Sequence, residues 1–156
     1  MKKTLFAAAA AALILTTTAQ AACWSPRAAE AAEVRDLDTM LMVASLRCRI
    51  SGRNFIADYN SFVRNSRPTL SEANDMLRAQ FASSGGLDAY DRYVTSLANT
   101  HGGGSATLDC RDMENLLDEA KDQGGSVAML AKLARSVDGG PKLPGGRCGV
   151  TFARAK

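Results

Sequence analysis

An all-α fold is predicted by three features of the sequence. Apolar residues recur at spacings of three and four in six separate stretches, a glycine, proline or capping residue punctuates each of them, and no stretch sustains the two-residue alternation of a half-buried strand. The expected architecture is a single compact bundle of about five to six helices with an irregular Gly/Pro-rich tail over 139–156.

The first helix follows Pro26, which suits a first helical turn, and runs from Arg27 to Ile50 without an internal glycine or proline. Val34, Leu37, Leu41, Ala44 and Cys48 form its apolar stripe, widened by Met40 and Val43, so Cys48 is expected to point into the core. Gly52 interrupts. Phe55, Ile56, Tyr59, Phe62 and Val63 then mark a second helix that Pro68 ends. Thr69 and Glu72 have the spacing of a capping box and open a third, with Leu70, Ala73, Leu77 and Phe81 inward. The run Ser83-Ser84-Gly85-Gly86 is a turn. A fourth helix extends from about Leu87 to His101 through Tyr90, Val94 and Leu97, and glycines 102–104 stop it. Asp109 caps a fifth, with Cys110, Met113, Leu117 and Ala120 aligned, and Gly124-Gly125 closes it. Ser126 caps a sixth, with Val127, Leu130, Ala134 and Val137 inward. A short extended piece is expected at Val150 to Phe152.

The N-terminus has the pattern of a cleavable secretory signal. Met1-Lys2-Lys3 is basic, Phe6 to Leu15 is apolar, and Ala19-Gln20-Ala21 has the small residues that signal peptidase reads, so residues 1–21 are expected to leave and the mature chain, 22–156, to begin at Ala22. The apolar stretch is about ten residues, too short to span a bilayer, and no transmembrane segment is expected elsewhere. A lipoprotein anchored at Cys23 is the competing reading. It is disfavoured because Gln20 replaces the leucine-like residue that signal wants, and because lipidation would leave three other cysteines. The expected compartment is the periplasm or the exterior.

In such a compartment Cys23, Cys48, Cys110 and Cys148 read as two structural disulfides. They contain no C-x-x-C pair, which removes the main support for a zinc ribbon, thioredoxin-like chemistry or covalent haem attachment. An unbroken first helix, rising about 1.5 Å per residue, holds Cys23 roughly 30 Å from Cys48, which excludes that pair and with it Cys110–Cys148. If successive helices alternate up and down, Cys110 lies at the end of the bundle where Cys23 is. The expected pairing is therefore Cys23–Cys110 with Cys48–Cys148, ahead of the crossed alternative.

Loss of Lys2 and Lys3 takes the nineteen basic residues to seventeen, against sixteen acidic ones, a net charge of +1. So balanced a domain has no strong lever for phosphate, and nucleic acid is not an expected partner. Basic residues do cluster at Arg47, Arg49 and Arg53 and at Arg64 and Arg67. A solvated helix face is the plain reading of them and a candidate anion-binding site the sharper one.

His101 is the only histidine, so sites needing two are excluded, and its place before a glycine run suits a cation at a helix C-terminus. Met40, Met42, Met76 and Met113 could in principle join it on haem iron, but their stripe spacing reads as packing; no cofactor or metal is expected. The acids Asp109, Asp112, Glu114, Asp118 and Glu119 fall on the polar side of an amphipathic helix beside Lys121. The glycine segment 101–105 lacks the strand and Gly-Lys-Ser/Thr of a phosphate loop. Trp24 and Phe152, beside the outer cysteines, are expected to cover disulfides.

The segments Met40-Leu41-Met42-Val43-Ala44-Ser45-Leu46-Arg47-Cys48-Arg49 and Asp58-Tyr59-Asn60-Ser61-Phe62-Val63-Arg64 give the chain, over roughly Cys23 to Gly104, a resemblance to small uncharacterised exported proteins of Gram-negative bacteria. The resemblance implies a compartment and no activity, cofactor or catalytic residue. The functional expectation is a non-enzymatic periplasmic protein that binds other proteins or envelope components, as a stress-related, inhibitor or assembly factor. Its rival is a cell-wall hydrolase or lyase using acids such as Glu114 and Asp118.

Overall fold

A computed structural model describes residues 23–137 and 139–149, in which the chain forms six helices: α1 Pro26–Ile50, α2 Ile56–Asn65, α3 Arg67–Phe81, α4 Gly86–Gly102, α5 Cys110–Gln123 and α6 Val127–Ser136. The all-α expectation holds; the described residues contain no strand, only an isolated bridge between Trp24 and Arg147. The expected signal segment and the piece at 150–152, Phe152 included, lie outside the described residues.

Local chemistry sets most helix boundaries. The Ser25 hydroxyl accepts from the Ala28 amide ahead of Pro26, and Ser126 accepts from the Met129 amide at the start of α6. Asp109 accepts from the amides of Arg111 and Asp112, while the Asp112 carboxylate accepts from the Asp109 amide, closing a capping box. These backbone bonds hold the Asp109 carboxyl below its ordinary pKa, the Asp112 amide first and the Arg111 amide second. The third helix differs from expectation. It starts at Arg67, with Pro68 in its first turn, so Thr69 lies inside the helix rather than capping it.

α1 is the axis of the molecule. Ala31, Ala32, Glu33 and Val34 are consecutive and all buried, which requires neighbours on every side of the helix there, and the small methyl groups of Ala28, Ala29, Ala31 and Ala32 let those neighbours approach closely. The expected stripe of Val34, Leu37, Leu41, Ala44 and Cys48 is buried as well. Around this axis the other helices make three further legs. α2 starts beside the C-terminal end of α1, and α3 ends beside its start, where Gln80 donates to the Cys23 carbonyl at 3.4 Å. α4 returns, with Tyr93 against Trp24 near its start and Gly102 receiving the Arg47 side chain at its end. α5 leaves from Cys48, and α6 brings Arg135 back to Glu33 near the start of α1.

Two of the four legs are thus made of two helices each, and their joints meet. Thr69, just past the α2–α3 joint at Ser66, donates its hydroxyl to the carbonyl of Gly124, at the α5–α6 joint, over 2.8 Å.

This arrangement corrects the expected disulfide pairing. The bonds are Cys23–Cys148 and Cys48–Cys110. The exclusion of Cys23–Cys48 holds, since α1 is unbroken. What fails is the assumption that each helix reverses the one before it. The joint at Ser66 carries the chain onward, so α5 begins at the Cys48 end of the bundle, and the joint at Gly124 carries it on again, so α6 brings Arg135 to Glu33 near the start of α1 and the tail beyond it can reach Cys23.

The tail over 139–149 has no helix or strand, as expected, but is pinned. Trp24 is buried in an aromatic group with Phe81 and Tyr93, and its indole N–H donates to the Pro144 carbonyl at 2.8 Å. Its main chain takes up the tail on both sides, donating to Gly146 and accepting from Cys148, each at 2.9 Å. Trp24 therefore packs at the outer disulfide, the place expected for it.

Candidate functional site

α1 carries four acids in its first half, Glu30, Glu33, Asp36 and Asp38, and the last three each face a different leg. The Glu33 carboxylate is 3% exposed and lies between two arginines, Arg135 of α6 at 2.5 Å and Arg147 of the tail. Asp36 meets His101 of α4, Nε2 to Oδ1, at 2.7 Å. Asp38 accepts from the Tyr59 hydroxyl of α2 at 3.0 Å and from Arg35 at 2.9 Å. At about 100° per residue these positions fan around the helix, so the axis is keyed to three of its neighbours by one charged bond each.

Burial dominates the electrostatics here. It raises the Asp38 carboxyl above the ordinary carboxylate range, opposed by the Arg35 charge and by the hydrogen bonds from Tyr59 and Arg35. The Tyr59 phenol is pushed up by burial and then by the Asp38 charge, and the Tyr93 phenol by burial and then by Asp36. Among the described residues Tyr93 Oη and Arg35 Nε are buried without a hydrogen-bond partner.

Two adjoining cavities flank His101. One, of about 330 Å³, lies between α1, the 103–109 loop and the start of α5; Met40, Ala44, Leu108 and Met113 supply apolar lining, and Arg47 and Asp109 supply charge. The other, of about 440 Å³, is bounded by Asp36, Leu97 and the loops around Thr107 and Pro141. The chemistry on offer is modest. Ser105, the hydroxyl shared by both, accepts from the amides of Thr107 and Leu108 at 3.1 and 3.0 Å, which makes it a turn-forming residue. Met40 and His101 line the same cavities, and the His101 Nε2 is bonded to Asp36. Among the described residues no group of three or more His, Cys, Asp or Glu could hold a metal ion.

The two expected arginine groups lie apart. Arg47, Arg49 and Arg53 gather at the C-terminal end of α1, whereas Arg64 and Arg67 lie at the α2–α3 joint, about 15 Å of helix away. Arg53 is paired with Glu114, and Arg47 donates to the Gly102 carbonyl at 2.5 Å. The α5 acids do not face one another across a cleft. Glu114 takes Arg53, and Asp118 takes Lys121 at 3.1 Å, which also reaches Asp58 at 3.3 Å. The bonds to Asp118 and Asp58 raise the lysine's pKa.

Comparison with protein-family models, with curated proteins and with solved structures finds no match to this chain. Function must therefore be argued from the molecule's own surfaces.

One surface went unnoticed in the sequence. Met42, Leu46 and Ile50 succeed one another at four-residue intervals on α1 and are 37%, 49% and 87% exposed. They form a ridge along the last two turns of a helix that is buried on every side at Ala31 to Val34. The signal is present at Met42 and Leu46, which fall outside the Leu37–Leu41–Cys48 stripe.

Proposed function

We propose that the chain is a non-enzymatic, exported binding protein that engages other proteins or envelope components of an oxidising compartment through the end of its axial helix. The observation that carries this reading is the exposed Met42–Leu46–Ile50 ridge. Isolated apolar residues on a surface are ordinary, but three in register on one helix face suggest a contact surface. The compartment rests on the signal-like residues 1–21 and on the two disulfides, which join cysteines 125 and 62 positions apart. No helix of the described residues is long and apolar enough to cross a membrane, consistent with delivery of a domain that is not itself embedded by one.

The rival, a cell-wall hydrolase or lyase, requires an acid of raised pKa facing a second, ionised one across a sugar cleft. Asp38 is the raised acid among the described carboxylates, and its bonds to Tyr59 and Arg35 tie it inside the bundle. Glu114 and Asp118 are each taken by a cation.

The deciding experiment compares the protein with a Leu46→Ser/Ile50→Ser variant and a Glu114→Gln/Asp118→Asn variant. Each is used to capture cross-linked envelope material and is assayed on purified peptidoglycan. Binding is expected to fall with the ridge variant alone. Peptidoglycan cleavage that the acid variant abolishes would overturn the proposal.

A further inference from the structure

We propose that the ridge docks on an anionic lipid surface, an inference that rests on the binding reading above and names the component bound. Three observations carry it.

The first is charge. Residues 39–57 contain Arg47, Arg49 and Arg53 and no aspartate or glutamate. Arg53 is neutralised by Glu114, but Arg47 bonds only to a carbonyl, and Arg49 is exposed with no ion pair among the described residues.

The second is where those two charges lie. At about 100° per residue, Arg49 sits about 60° to one side of Leu46 and Arg47 about 100° to the other. The apolar ridge therefore runs between two guanidinium groups without an ion pair among the described residues; Arg47 is held at the Gly102 carbonyl, while the long stem of Arg49 can lie along an apolar layer with its head among phosphates.

The third is shape. Met42 to Ile50 covers about 12 Å of helix and ends on the most exposed large apolar residue of the chain's described part. Exposure rises from Met42 through Leu46 to Ile50, so the ridge stands out most at the helix end. A fluid lipid surface conforms to such a ridge, whereas a protein partner would need a matching groove. The arrangement is that of an interfacial helix end: apolar side chains reach the acyl boundary and Arg49 holds the headgroups.

The test is co-sedimentation of the full, oxidised chain with vesicles of phosphatidylglycerol and phosphatidylcholine in equal parts, against vesicles of phosphatidylcholine alone. Partitioning should favour the anionic vesicles and weaken as salt is raised. It should fall about fivefold for Arg49→Gln, and about tenfold for Leu46→Ser/Ile50→Ser. Circular dichroism should show both variants folded, since the altered side chains are exposed. Equal partitioning on both vesicles, or variants that bind like the parent, would overturn the lipid assignment. So would a dimer in sedimentation velocity that the ridge variant abolishes, because a second copy would then cover the ridge. Capture of a protein lost in the ridge variant, without vesicle binding, would overturn the lipid assignment and keep the wider binding reading. If the ridge variant matches the parent in both vesicle binding and envelope capture, both fall.

Discussion

The Thr69 hydroxyl donates to the Gly124 carbonyl across 55 positions of sequence, and both residues are buried. This one bond ties the two joints that divide the bundle's broken legs. Gly124 has an ordinary right-handed backbone, so its lack of a side chain serves packing and not conformation. A methyl group there would fall well inside van der Waals contact of the Ser66 Oγ.

Gly124→Ala should therefore destabilise the fold by about 1–3 kcal/mol in urea unfolding. Ser66→Ala removes the clashing oxygen and should recover more than half of that loss when combined with Gly124→Ala. Equal losses in the single and double variants would show that the joints are not in contact.

These joints also mark where the sequence stops being legible. The caps at Asp109 and Ser126, the α1 stripe and the glycine breaks are local signals, and they place nearly every helix. Whether a break reverses the chain or continues it depends on packing across the bundle. Ser66-Arg67-Pro68 and Gly124-Gly125 punctuate helices without stating an angle, and the disulfide pairing inferred from them failed for that reason. The acids of α1 were hidden in another way. Glu33, Asp36 and Asp38 resemble a solvated face because their partners on other helices lie 102, 65 and 21 positions away.

Glu33 and its two arginines predict an order of losses. Glu33→Gln leaves a buried amide and two arginines that are 45% and 53% exposed and can hydrate, at a cost of about 1–2 kcal/mol. Arg135→Ala combined with Arg147→Ala leaves a buried carboxylate without compensation and should cost more, about 3 kcal/mol or above. Chemical denaturation of both variants at neutral pH checks this, and the reverse order would contradict the clamp.

Asp38 predicts a pH dependence of a particular sign. Its carboxyl binds a proton more tightly in the folded than in the unfolded chain, because burial outweighs Arg35 and Tyr59. Between the ordinary carboxylate pKa and the raised one the folded state therefore carries more protons, so this residue's contribution grows as pH falls through that window and is lost as pH rises. Thermal unfolding from neutral to mildly acidic pH should show the parent gaining on Asp38→Asn as pH falls. A constant difference between the two would mean that the carboxyl is not held in its buried setting.

His101 reaches Asp36 from the last turn of α4, so its role goes beyond the helix terminus expected of it. His101→Ala should cost about 1–2 kcal/mol, more than a surface helix-end residue would. Leu46→Ser/Ile50→Ser, in contrast, should cost less, about 1 kcal/mol or below, because Ile50 is exposed and Leu46 only half covered. If the two variants lose equal stability, the ridge belongs to the core and not to a binding surface.

The export of an oxidised domain is tested most directly on the protein purified from the cells that make it, by intact mass and non-reducing peptide mapping. The mass should correspond to a chain beginning at Ala22 with all four thiols oxidised, and the map should contain two cross-linked peptide pairs, Cys23 with Cys148 and Cys48 with Cys110. Retention of residues 1–21, a lipid on Cys23 or free thiols would contradict it.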